Sequence, residues 1–198
     1  MSKKSVTLMP LESDDREQFI LDNQEAFRYG AMEEFGMRDD HFEEDGEIIS
    51  RQTIAESIDA ENAETYRIVC DGKKVGGAVI HIDAETSTGH LDLLFVSPHV
   101  HSQGIGFAAW QNIERMHPEI KVWETVTPYF EKRNIHFYVN RCGFHIIEFY
   151  NSHHPDPNDP EMTERQICSN SGHSWHDSAD ILGKEDDFDG MFRFQKIM

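Results

Sequence analysis

Residues 95–110, FVSPHVHSQGIGFAAW, constrain the fold more than any other stretch of the chain. An apolar, strand-like segment ends near Val96, a polar loop containing Pro98 follows, and a helical pattern begins at Gly104. Residues 104–109, GIGFAA, match G-x-G-x-x-A letter for letter. A dinucleotide-binding turn needs its first glycine directly behind a parallel strand, opening a βαβ unit. Here Ser97 to Gln103 intervene, and the segments upstream read as hairpins. A Walker loop is excluded because no Gly-Lys-Ser/Thr follows. Two readings remain. One is an anion cradle, in which glycines admit a close approach to backbone N–H groups at the positive end of a helix dipole. The other is a glycine-rich corner without a ligand.

The flanking segments set the class. TYRIVC (65–70) and KVGGAVIHI (74–82) are β-rich runs joined at Asp71-Gly72, a hairpin signal, and GHLDLLFV (89–96) follows a second turn-rich gap. This predicts three antiparallel strands feeding the loop. Before them stand a short strand, SVTLMPL, and Ser13 and Asp14 as helix caps. A helical stripe of Phe19, Ile20, Asn23 and Phe27 then runs to about Tyr29, and a more polar helix covers Ile48 to Ile58. After the loop, residues 104–117 predict a helix with Ile105, Ala109, Ile113 and Met116 on one side. KVWETVT (121–127) is a strand, residues 131–142 a short helix ended by Gly143, and FHIIEFY (144–150) another strand. The expected organisation is a core over 1–150, a polar His/Asp-rich insertion over 151–189, and a final strand over 190–198 returning to the core sheet.

Composition narrows the partners. With 18 Lys+Arg against 37 Asp+Glu the net charge is −19, which argues against nucleic acid. That charge is compatible with a cationic acceptor, and equally with simple solubility. No run approaches the ~18 apolar residues of a membrane span, and the N-terminal segment lacks a signal-peptide core. Cys70, Cys142 and Cys168 are scattered without C-x-x-C, so reduced thiols in a cytoplasmic protein are expected. Cys168, His173 and His176, with His153, His154 and Asp177 nearby, lack paired ligand spacing, and no metal is expected.

FVSPHVHSQGIG resembles the acetyl-CoA-binding motif of the GNAT N-acetyltransferase superfamily: a strand, V-x-P, and R/Q-x-x-G-x-G/A leading into a helix. RNIHFYVNRCGF resembles the second motif of that superfamily. The resemblance covers about residues 5 to 150 plus the last strand. It implies an α+β fold, a mixed and mainly antiparallel central sheet flanked by helices, with the fourth and fifth strands splayed. It further implies acetyl-CoA as co-substrate, its pantetheine arm facing Phe95 and Val96. The loop from His101 and Ser102 through Gln103, Gly104, Ile105, Gly106 and Phe107 would wrap the pyrophosphate, and Asn134 would bond the cofactor arm. Tyr138 would be the general acid. Three positions depart from the pattern. His101 stands where Arg or Gln is usual, Tyr138 lies five residues before Gly143 rather than four, and Asn134 is closer to Tyr138.

Acyl transfer to an amine needs a neutral nucleophile, and an alkylamine of pKa ~10 is mostly ammonium near neutrality. A carboxylate or a water chain can take that proton. Strand alternation puts His90, Asp92 and Leu94 on one face of the fourth strand. Asp92 is the first candidate for the base and Glu124 the second, each otherwise a solvent-facing or substrate-orienting carboxylate. Backbone N–H near Val96 would hold the oxyanion. Cys142 reads as a small core residue, and Trp123 and Tyr129 read as either pocket lining or core. The sequence therefore reads as an acetyl-CoA-dependent N-acetyltransferase acting on a small-molecule or peptide amine. A homodimer is compatible with the resemblance. The rival is a catalytically idle CoA-binding or regulatory module, which His101 and the Tyr138 spacing support.

Overall fold

The computed structural model describes residues 5–35, 47–100, 103–129, 131–151, 153–157 and 190–198. The strands are β1 (Val6–Pro10), β2 (Ala63–Cys70), β3 (Lys73–Asp83), β4 (Thr88–Val96), β5 (Val122–Pro128), β6 (His145–Tyr150) and β7 (Met191–Ile197). The helices are α1 (Arg16–Phe35), α2 (Arg51–Asp59), α3 (Ile105–Met116) and α4 (Lys132–His136), the last running on into a π-helical turn at Phe137–Cys142. The chain divides into two units, Met1–Glu124 with Lys196–Met198, and Thr125–Gln195.

In the first unit the strand order is β1-β2-β3-β4-β5. The first four strands pair antiparallel, and β4 pairs parallel with β5 over Thr88–His90 and Val122–Glu124. In the second unit the order is β5-β7-β6, with β6 and β7 antiparallel. The fold is α+β, a mainly antiparallel sheet flanked by helices, as expected from the sequence.

Local chemistry explains the meander. Asp71 and Gly72 both have positive φ, 50° and 78°, the conformation that a two-residue hairpin turn demands. At the next turn the Asp83 carboxylate accepts hydrogen bonds from the Glu85 and Thr86 N–H groups and from the Thr86 hydroxyl. The Thr86 hydroxyl is the main reason its carboxyl lies below the usual range. Ser50 caps α2 by accepting the Thr53 N–H at 3.0 Å. Ser13 and Asp14 do not cap α1. They lie in a 3₁₀ turn, Ser13–Asp15, that runs straight into the helix.

The first unit buries both faces of its sheet. Phe19 and Ile20 of α1 and Ile54 of α2 pack with Val79, Leu93 and Phe95. Ile105 and Ala109 of α3 pack with Ile68 and Cys70, joined by Leu94 and Val96. Leu93 and Leu94, like Phe95 and Val96, are consecutive strand residues and so face opposite layers. On α3 the expected stripe needs one correction. Met116 is 45% exposed, whereas Trp110 is fully buried beside Ala109 and Ile113.

The Gly76-Gly77 pair lets β3 nest under its neighbours. A Cβ on Gly77 would lie 2.2 Å from the Phe19 ring, and one on Gly76 would lie 2.2 Å from the Phe95 carbonyl oxygen. A ring can rotate away, but a strand carbonyl cannot. Gly76→Ala is therefore expected to destabilise by about 1–3 kcal/mol and more than Gly77→Ala, read from urea midpoints. Equal midpoints for wild type and Gly76→Ala would contradict this packing.

Candidate active site

The loop after β4 ends in an N-terminus built from backbone. Gly104 is the N-cap of α3 with φ 75°, a left-handed conformation that a Cβ disfavours. Among the described residues nothing lies within 4 Å of a Cβ placed there, so the dihedral rather than crowding asks for glycine. Among the described residues no side chain caps α3. Its ladder begins where the Ala108 N–H donates to the Gly104 carbonyl at 3.0 Å. The Ile105 and Gly106 N–H groups therefore precede the first intrahelical bond, at the positive end of the dipole.

Side chains contribute little to this cradle. Ile105 is 2% exposed and belongs to the core. The Phe95 ring is buried edge-on against Phe19, centroids 5.1 Å apart. Val96 packs toward α3. The side chains of these three residues are committed to the core, while Gln103 is exposed and Gly106 and Phe107 are half-buried. His101 and Ser102 lie outside the described residues.

The candidate bases come together on one face of the sheet. Val79 pairs with Leu93 and Ile80 with Leu91, so Asp92 is the extra residue of a β-bulge. Strict alternation fails there. Asp92 points toward α2, where the Ser57 hydroxyl donates to its carboxylate, whereas Leu94 packs on the α3 side. The expected trio of His90, Asp92 and Leu94 thus loses Leu94. In its place stands a row of register partners, His81 on β3, His90 on β4 and Glu124 on β5. Register partners share a face. His81 Nε2 lies 3.4 Å from Asp92 Oδ2, and the His81 and His90 rings meet edge-to-face at 6.4 Å. His81 was missed at the sequence level, although counting outward from the turn in DAETSTG sets it opposite His90.

The second unit holds Asn134 and Tyr138. Asn134 Nδ2 is 3.4 Å from Glu131 Oε2. The π-helical turn resolves the spacing of Tyr138. Its carbonyl accepts the Gly143 N–H, an i to i+5 bond, and also the Phe144 N–H at 3.0 Å. A π turn absorbs one additional residue, and such turns recur at functional sites. The Tyr138 ring packs on Phe144 and Phe194. Burial pushes its hydroxyl up to about 12, although a hydrogen bond with Thr125 works in the opposite direction. At neutral pH the phenol keeps its proton.

Of the remaining candidates, Trp123 is fully buried and packs edge-on against Trp110 at 5.2 Å, which places it in the core. Cys142 is buried as well. Among the described residues no three His, Cys, Asp or Glu side chains are placed to hold a metal. His154 lies among them, 2.8 Å from Glu148. Cys168, His173, His176 and Asp177, with nearly all of the expected insertion, lie outside the described residues. No helix among the described residues is long and apolar enough to cross a membrane.

Known proteins share both the sequence and the fold. Residues 21–144 match the model of the acetyltransferase (GNAT) family. The chain is 46% identical over 197 residues to the uncharacterized protein YrkN of Bacillus subtilis (strain 168), covering 100% of this chain and 96% of that one. The ribosomal-protein-S18-alanine N-acetyltransferase of Escherichia coli superposes with a TM-score of 0.60 at 13% identity, covering 96% of this chain and 92% of its own. A Bacillus subtilis acetyltransferase in complex with CoA superposes with a TM-score of 0.55 at 14% identity, covering 99% of each chain. The backbone cradle at α3 and the mainly antiparallel sheet are thus joined by a family match over most of the folded core, and this chain belongs to the GNAT acetyltransferase family.

Proposed function

We propose that the protein is an acetyl-CoA-dependent N-acetyltransferase that transfers an acetyl group to a primary amine of a small molecule or peptide. The observation that carries this reading is the N-terminus of α3, where Gly104 turns left-handed and, among the described residues, no side chain caps the helix. A chain of net charge −19 can hold a diphosphate there because the backbone supplies the positive potential. Gln103, Gly104, Ile105, Gly106 and Phe107 wrap the pyrophosphate. The backbone of Phe95 and Val96 meets the pantetheine arm, and Asn134 bonds the same arm.

The chemistry follows from the acceptor. Its ammonium loses a proton to the group of side chains around the Asp92 carboxylate, with Glu124 as the second candidate. The amine then attacks the thioester carbonyl. Backbone N–H near Val96 stabilises the oxyanion, and Tyr138 protonates the departing thiolate. The negative field concentrates a cationic acceptor at such a site.

Titration calorimetry tests the cradle. CoA is expected to bind far more tightly than pantetheine, which lacks the diphosphate. Gly104→Val is expected to weaken CoA by about tenfold, because a β-branched residue at positive φ costs about 1–2 kcal/mol. Gly104→Asn, which tolerates that conformation, should weaken it less. Equal affinities for CoA and pantetheine would overturn the assignment.

A further inference from the structure

We propose that His81 is the group that takes the proton from the acceptor amine, and that Asp92 and Ser57 hold it for that task. The inference deepens the acetyltransferase reading and rests on it. Three elements converge here. The Ser57 hydroxyl on α2 donates to Asp92, the extra residue of the β4 bulge, and His81 on β3 faces the same carboxylate at 3.4 Å. That distance is an ion-pair distance, longer than a good hydrogen bond, and such pairs tighten when substrate closes a site. His81 Nε2 is buried and makes no hydrogen bond among the described residues. A buried, unpaired polar atom calls for an explanation.

The roles follow from the inventory of atoms. The Asp92 carboxylate already accepts from Ser57, and its other near neighbour is the imidazole. A carboxylate beside Nε2 favours the tautomer with its hydrogen on that nitrogen, which leaves the Nδ1 lone pair to accept a proton. Once formed, the imidazolium is stabilised by Asp92. Among the described residues His81 has His90 as its register partner on β4, Glu124 on β5 is in turn the partner of His90, and the β2 partner Ala63 carries no charge. The His81 and Asp92 side chains are 25% and 33% exposed, so an acceptor can reach them.

The step balances. An ammonium proton moves to His81 Nδ1, and the freed nitrogen lone pair forms the C–N bond at the thioester carbonyl. The C–S bond breaks with its electron pair on sulfur, which ends protonated at the expense of the second N–H. His81 then returns its proton to water.

The test uses thiol release from acetyl-CoA with spermidine, lysine, an aminoglycoside and an alanyl peptide as acceptors. With whichever acceptor turns over, His81→Gln is expected to lower kcat/KM about 10²-fold. It should also abolish the acidic limb of the pH–rate profile and leave CoA affinity unchanged. Asp92→Asn is expected to lower kcat/KM as well, and the double variant should be little worse than His81→Gln alone, because the two act as a unit. Turnover by His81→Gln with the wild-type profile, or additive losses in the double variant, would overturn the role of His81 and leave acetyl transfer standing. Thiol release with none of the four amines by a protein that binds CoA would overturn the acetyltransferase reading, and this inference with it.

Discussion

Arg67→Ala is expected to destabilise the first unit by about 3–5 kcal/mol, the largest stability loss of any substitution considered. Arg67 is 1% exposed on β2. Its guanidinium is bidentate to Asp15 at 2.7 and 3.0 Å and bonds Asp22 of α1 at 2.7 Å. Lys74 adds a contact to Asp15 at 2.8 Å, and the guanidinium stacks over the Phe19 ring at 5.2 Å. Removing the arginine leaves the mostly buried Asp15 carboxylate without its main counterion. Arg67→Met, which keeps the volume, should destabilise too, since the acidic partners remain.

The same cluster sets an acid limit. The hydrogen bonds from Arg67 hold the Asp15 carboxyl below its usual range, against the upward push of burial. A group lowered in the folded state stabilises above its unfolded pKa of ~3.9, and that contribution is lost as the pH falls through the folded value. Denaturant midpoints of the wild type should therefore drop more steeply below about pH 4 than those of Asp15→Asn. Parallel acid dependences for the two proteins would show that Asp15 is not linked to folding.

Tyr138→Phe is expected to lower kcat about 10²-fold with little change in the KM for acetyl-CoA. The phenol is pushed up to about 12, so it remains a donor throughout the working range and does not titrate in the profile. Its ring packing on Phe144 and Phe194 is kept in phenylalanine. The stability cost should therefore be limited to one hydrogen bond, about 1 kcal/mol. A kcat within twofold of wild type, with the same stability, would remove Tyr138 from the thiolate step.

How far the sequence could be read depended on whether the determinants were local. The Asp71-Gly72 turn and the start of α3 at Gly104 follow from local chemistry within a few residues, and these were legible; the left-handed conformation of Gly104 came from the structure. Gly143, with φ 81°, ends its helix for the same reason. The β4 bulge was not legible. Nothing in GHLDLLFV marks Asp92 as the extra residue, because a bulge is fixed by pairing with β3, and alternation carried one residue too far put Leu94 on the wrong face. The π turn was half legible. The spacing from Tyr138 to Gly143 disclosed an additional residue but not the i to i+5 bond that accommodates it. His81 escaped because its meaning lies in cross-strand register with His90 rather than in any motif.

Amine-dependent release of thiol from acetyl-CoA, followed with the panel of primary amines, decides whether this protein transfers acetyl groups. At least one amine is expected to accelerate release well above hydrolysis, with an acetylated amine recovered in equal amount. CoA binding with no amine-dependent release across the panel would contradict it and leave a CoA-binding module without transfer activity.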